Sequence, residues 1–210
     1  TMPAVLLSDV LKLFSGIVIK DYGGVGGMKT VSMRGFGSQH TAISYDGLPV
    51  TDCQTGQIDL SKFSLENVEQ ISVNSGTDDI FLPARLFAAA NLIQIRTLRP
   101  KFDKRPFHID FRFLGGSFGL WGPSVLLENR IVKRRNNGFS LSSSLNINYL
   151  QSGGRYPFTI YYGGDNDSTS LEKRSNSDVR SMNIEGNLFF TFNYTTQMDV
   201  KLYYYQAERG

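Results

Sequence analysis

The run Gly23-Gly24-Val25-Gly26-Gly27-Met28-Lys29-Thr30 is the first stretch whose composition could do chemistry, because consecutive glycines let backbone N–H groups converge on a phosphate. Its spacing argues against that use. In a phosphate loop the lysine directly follows the last glycine and a helix then aims its dipole at the anion, whereas here Met28 intervenes and the strand-like Thr30-Val31-Ser32-Met33 follows. Other nucleophiles and metal ligands are scattered. Cys53 is the only cysteine, so it has no partner for an internal disulfide or a shared metal. His40 and His108 lie in different halves without motif-like neighbours, and no serine stands in a Gly-x-Ser-x-Gly elbow. Asp78-Asp79 reads as a turn or cap rather than as acid/base machinery. The expectation is a protein that is not an enzyme and uses no metal or cofactor.

Composition points elsewhere. Among 210 residues, 21 Gly, 15 Phe and 10 Tyr favour strands and turns over helices. The formal net charge is only +3, and the longest basic run, Lys133-Arg134-Arg135, reads as a solvated turn, so nucleic acid is not expected as a partner. The start, Thr1-Met2-Pro3-Ala4, has neither a basic nor an apolar export region. No stretch approaches the roughly 20 apolar residues of a spanning helix.

The elements change character near Arg99-Pro100-Lys101. Before it, Val5 to Phe14 has helical spacing and stops at Gly16. Strands are expected at Ile17-Val18-Ile19, Thr30 to Met33, Val68 to Val73 and Leu92 to Thr97, with a helical turn at Ser61 to Asn67. Thr41 to Tyr45, Asp46-Gly47 and Leu48-Pro49-Val50 form a hairpin signal, with Pro49 placing the return strand at an edge. This half is a compact α+β module.

After it, apolar and polar residues alternate with period two. Phe139, Leu141, Leu145, Ile147 and Tyr149 oppose Ser140, Ser142, Ser144, Asn146 and Asn148; Ile184, Leu188, Phe190 and Phe192 oppose Asn183, Glu185, Asn187 and Thr191. Phe107 to Phe113, Leu120 to Val132 and Met198 to Tyr204 complete about five strands, long enough for the 9 to 11 residues that a membrane crossing takes. A long polar loop is expected from about Gln151 to Asp178. Two readings fit this alternation. In a soluble sandwich the apolar face packs on a core; in a membrane barrel it meets lipid, and Arg112, Glu128, Arg130 and Glu185 must then point inward, because a lipid-facing Arg costs about 2–4 kcal/mol at midplane. Five strands cannot close as a membrane barrel, which needs at least about eight, so a truncated barrel whose open edges self-associate is expected.

Five pieces in order then resemble the plug of TonB-dependent receptors. Leu7-Ser8-Asp9-Val10-Leu11 with Phe14-Ser15-Gly16-Ile17 is similar to the family's helix and its stop, and Val31-Ser32-Met33-Arg34-Gly35 to its "Ile-Arg-Gly" strand. Ile43 to Val50 resembles its "Asp-Gly-Val-Pro-Val" hairpin, Asn67 to Val73 with Gly76 its "Ile-Glu-Arg-Ile-Glu-Val" strand, and Asn91 to Thr97 its closing strand. Ser15, Ser75, Phe81-Leu82-Pro83 and Ala88-Ala89-Ala90 depart from the family pattern and mark a divergent branch.

That resemblance implies an α+β plug domain over residues 1–100 and, over 101–210, antiparallel transmembrane β-barrel strands at the start of an incomplete, mostly β barrel. It implies a receptor of the cell outer membrane for active uptake of a scarce nutrient such as cobalamin or a siderophore. The implied partners are the nutrient, the lipid membrane, and a TonB-type energy-coupling protein acting through an N-terminal segment, whose coupling box is expected to be missing here. By the same resemblance the apical loops carry the ligand contacts, with Ser38, Gln39, His40, Gln54 and Gln57 as candidates, and Arg34 is the expected plug-to-barrel contact. The alternative is a non-transporting surface β-protein, an adhesin or carbohydrate-binding module.

Overall fold

The computed structural model describes residues 6–23, 27–50, 57–76, 83–87, 89–102, 105–132, 138–162, 168–193 and 195–210. Helix is sparse. Helix α1 spans only Leu7–Leu11, its start tied by the Leu6 N–H donating to Asp9 Oδ2 at 3.1 Å; α2 is the four-residue Ala84–Phe87. Of the helix expected over Val5 to Phe14, Val5 lies outside the described residues and the helix stops at Leu11; Lys12 to Gly16 are turn and bend, with Gly16 left-handed at φ 81° just before β1 begins.

Strands β1 (Ile17–Asp21) and β2 (Lys29–Met33) form an antiparallel ribbon. Strands β3 (Thr41–Tyr45), β4 (Leu48–Val50), β5 (Val68–Asn74) and β6 (Asn91–Thr97) form a sheet in the order β4-β3-β6-β5. The β3–β4 turn holds Asp46 at φ 50° and Gly47 at φ 84°, the pair of positive values that a tight hairpin demands. Pro49 lies on the edge strand, as its missing N–H requires. Between β4 and β5 the expected helical turn at Ser61 to Asn67 is a 3-10 turn at Leu60–Lys62.

One face of this module closes on Leu7, Leu11, Val31, Ile43, Ile58, Leu60, Phe63, Ile93 and Ile95, all buried. Each such side chain contributes about 1.5–3 kcal/mol of apolar burial, which is what holds so short a set of elements together. This is the apolar core of the molecule.

The second half is a single antiparallel sheet in the order β13-β12-β9-β8-β7, made by β7 (Phe107–Gly116), β8 (Leu120–Val132), β9 (Ser140–Ser152), β12 (Val179–Thr191) and β13 (Gln197–Arg209). The five long strands expected from alternation are all present. The polar loop expected over Gln151 to Asp178 is not a plain loop: β10 (Pro157–Tyr162) and β11 (Ser168–Lys173) pair within it as a separate antiparallel ribbon. Among the described residues the long sheet stays open, with β7 and β13 at its edges, and no closed barrel forms.

Amphipathicity of the long sheet is inverted relative to a soluble protein. Its buried face carries Ser124, Glu128, Ser144, Asn146, Asn183, Glu185 and Asn187, while Phe107, Ile109, Phe111, Phe113, Leu188, Phe192, Leu202 and Tyr204 face outward, exposed. Arg112 and Arg130 share the inward face of Glu128 and Glu185. Aromatic rings cluster toward both ends of the outer face: Trp121 with Tyr149 at 5.1 Å near one end, Phe139 with Phe190 and Phe192 near the other.

Candidate functional site

The polar face of the long sheet is covered by the N-terminal module, so the seam between them is where charge must be satisfied without bulk water. Hydrogen bonding across β12 and β13 sets Asn187 opposite Lys201 and Glu185 opposite Tyr203, which makes Lys201 and Glu185 diagonal neighbours on the inward face. Glu185 is 1% exposed. Its carboxyl oxygens are hydrogen-bonded in place of water: Lys201 Nζ at 2.6 Å and Asn187 Nδ2 at 3.2 Å donate to Oε1, and the Tyr45 hydroxyl donates to Oε2 at 2.6 Å.

Lys201 in turn spends its three donors on three acceptors. Besides Glu185 it reaches Asp46 Oδ2 at 2.5 Å and Thr97 Oγ1 at 2.6 Å, and it lies 3.8 Å from the centre of the Tyr45 ring. Asp46 belongs to the β3–β4 turn and is itself fixed by the Thr97 N–H at 2.7 Å. One ammonium thus joins the end of the module's hairpin, its last strand and the wall. Burial, followed by the Glu185 charge, pushes the Tyr45 phenol well above its ordinary range, so it remains a donor.

A second joint lies toward the opposite end of β13. Asp59 accepts from the Lys29 N–H at 3.1 Å, from Ser61 N–H at 3.0 Å and Oγ at 2.6 Å, and from Arg209 at 2.7 Å. Burial works to raise this carboxyl, but the hydrogen bonds from Ser61, Lys29 and Arg209 outweigh it and hold it below the usual value of 3.8. Beside it the Lys62 carbonyl accepts from Asn183 Nδ2 at 2.6 Å and from the Tyr203 hydroxyl at 2.5 Å. Arg99 pairs with Asp199 at 2.5 Å, and Arg112 forms an ion pair with Glu66.

Ser38, Gln39 and His40 form a 3-10 turn leading into β3. Gln39 and His40 are exposed and Ser38 is half-buried; the His40 ring meets the Phe36 ring edge-on at 6.3 Å. Gln57, half-buried, lies beyond β4. Because β3 and β4 are antiparallel, the start of β3 and the end of β4 share one end of the hairpin, away from Asp46. The strand register therefore places Ser38 to His40 at the same end of the hairpin as Val50. Gln54, like Cys53, lies outside the described residues. Arg34 is exposed at φ 50° in the turn after β2, its N–H donating to the Gly16 carbonyl at 2.8 Å. Ion pairs between the module and the long sheet among the described residues run through Asp46, Asp59, Glu66 and Arg99.

No group of three or more His, Cys, Asp or Glu among the described residues could hold a metal. What the described residues build is a polar, ion-paired seam between the N-terminal module and the long sheet.

Residues 1–86 match the TonB-dependent Receptor Plug Domain. Over 68 residues, 32% of this chain and 11% of the relative, the sequence is 31% identical to the vitamin B12 transporter BtuB of Vibrio vulnificus. The fold is similar to that of the copper transporter OprC, with a TM-score of 0.69 and 19% identity over 99% of this chain and 29% of that one. It is equally similar to the FrpB iron transporter from Neisseria meningitidis, at 0.69 and 15% identity over 97% of this chain and 29% of that one. The pyoverdine outer membrane receptor FpvA from Pseudomonas aeruginosa follows at 0.62 and 15% identity, over 96% of this chain and 25% of that one. The chain thus spans less than a third of each of these solved structures and about a ninth of that curated relative.

Proposed function

We propose, starting from a chain that is TonB-dependent-receptor-like in its plug sequence and its fold and sits in the cell outer membrane, that residues 1–100 are the plug and 101–210 the opening arc of a transmembrane β-barrel. The observation that carries this reading is the inverted sheet. A soluble sandwich buries its apolar face; here the apolar face is exposed and the buried face is mostly polar and charged, with Leu126, Val179 and Phe189 its apolar exceptions, as in a barrel whose lumen holds a folded module. That same inversion weighs against the surface adhesin or carbohydrate module.

The activity proposed is uptake of a scarce nutrient, driven by an energy-coupling partner of the TonB type that acts on the plug. An outer membrane holds no ion gradient of its own, so work must arrive mechanically. A seam made of Lys201, Glu185, Asp46, Asp59 and Arg209 suits that demand, because polar contacts can be re-formed with water during movement whereas an apolar seam would resist it. Ser38, Gln39, His40, Gln54 and Gln57 are the proposed ligand contacts. Cobalamin, copper or an iron chelate are the cargo classes that the relatives' names bring forward.

Trp121, the only tryptophan, gives a clean test because it sits on the outer face, 40% exposed. In vesicles containing lipids brominated on their acyl chains its fluorescence should be strongly quenched. Emission that is unquenched by those lipids, yet quenched by aqueous iodide, overturns the barrel reading. Binding of cyanocobalamin, ferric chelates and Cu(II) to cells carrying the intact receptor, compared with a variant substituted at Gln39, His40, Gln54 and Gln57, tests the apex: unchanged affinity for the bound cargo counts against it.

A further inference from the structure

Below the Lys201 joint, where the linker leaves the module, a cavity of about 300 Å³ opens between the chain segment around Arg99 to Phe102 and the inner face of β8, β9 and β12. Its charged lining is Arg99 and Arg130, and its hydroxyls are Ser140, Ser142 and Thr191. Both guanidiniums lie on aromatic rings, Arg99 at 5.0 Å from the centre of Phe189 and Arg130 at 5.5 Å from that of Phe102.

A ring under the flat face of a guanidinium fixes its plane and leaves its N–H edges free to donate. Arg99 spends one such group on Asp199, and Arg130 spends one on the Phe102 carbonyl at 3.1 Å. Among the described residues Arg130 has no carboxylate within ion-pair distance; Glu128, two positions along the same face, forms no pair with it. Among the described residues, two guanidiniums against the one carboxylate of Asp199 leave an excess of one positive charge at the cavity. Hydroxyl donors surround it.

We propose that this cavity binds a phosphate group, held by the free edges of Arg99 and Arg130 and by the hydroxyls of Ser140, Ser142 and Thr191. Planar guanidinium edges match phosphate oxygens in geometry as well as charge. The bound anion cross-links the linker to three strands of the wall, a role that does not depend on which nutrient the receptor carries. The phosphate belongs to a free anion or to a phospholipid headgroup, and both present the same oxygens.

The 210-residue chain, folded in neutral detergent, is titrated with inorganic phosphate against chloride at matched ionic strength, and its thermal unfolding is followed. At ten times the dissociation constant, phosphate should favour the folded state about tenfold. Arg130→Gln should weaken the effect by about tenfold in concentration, and Ser142→Ala, which leaves the charge in place, should weaken it less. In a parallel arm, phosphatidylglycerol is compared with an uncharged glycosyl diacylglycerol. Protection by free phosphate assigns the site to a soluble anion, and protection by phosphatidylglycerol alone assigns it to a headgroup. The absence of protection in both arms, or protection undiminished in Arg130→Gln, overturns the proposal.

Discussion

Tyr45 donates its hydroxyl to Glu185 Oε2 at 2.6 Å although 140 positions of sequence separate them. One residue ends β3, an interior strand of the module's sheet, and the other lies near the middle of a wall strand, so this bond reports directly whether the module is seated.

Tyr45→Phe tests that relationship with the least disturbance. The ring and its contact with Lys201 remain, and Glu185 keeps its donors on Oε1, but Oε2 loses the phenol. The expected loss is about 1–3 kcal/mol of unfolding free energy, the cost of an unsatisfied buried acceptor. Urea unfolding in detergent reads it directly. A variant as stable as the parent shows that Oε2 is hydrated and the seam wetter than drawn.

Lys201→Met removes the cation on which Asp46 and Glu185 converge. Stranding two carboxylates near one another in the seam should cost about 3–5 kcal/mol. Combined with Asp46→Asn the losses should be less than additive, with a coupling of about 1–3 kcal/mol in a double-mutant cycle. Strict additivity would mean that the ammonium serves Glu185 alone.

Asp59 gives the seam a pH dependence with a definite sign. Its folded value is depressed below 3.8, so its contribution is fully present above about pH 5 and is lost as pH falls through 3.8 toward the folded value. Unfolding measured from pH 7 to pH 3 should show that loss at the acid end. Asp59→Asn should flatten the curve there and lower stability near neutrality, where the parent carboxylate still holds Arg209.

Much of the framework was legible because it is written locally. The Asp46-Gly47 turn, the edge position of Pro49 and the bounds of β8 follow from turn chemistry and period-two alternation, and the family that the motif series resembled is the one whose plug model matches. The ribbon of β10 and β11 was not read, since Gly163 to Asp167 and the serines around it look like loop; Phe158-Thr159-Ile160-Tyr161-Tyr162 was the signal for it. Glu185 was expected to face inward, but its partners were invisible. Which cation meets it depends on how deeply the module sits against the wall, a relation between distant segments that no local pattern encodes. Lys201 was partly recoverable, because its place on the polar face beside Glu185 follows from the β12–β13 ladder alone.

Leu202 separates the membrane and soluble readings most sharply. It lies near the middle of β13 on the outer face and is 74% exposed, opposite Gly186. In water, replacing so exposed a leucine with arginine is nearly neutral, within about 0.5 kcal/mol. Against acyl chains near the bilayer midplane the same change costs about 2–4 kcal/mol. Leu202→Arg should therefore sharply reduce folding into phosphatidylcholine vesicles, measured as the protease-protected fraction. Lys201→Arg, one position away on the inward face, should leave vesicle insertion intact, because its charge points at Glu185 and Asp46 instead of lipid. Equal behaviour of the two variants in vesicles would remove lipid as the cause of the inverted pattern, and with it the reason for placing the strands in a membrane.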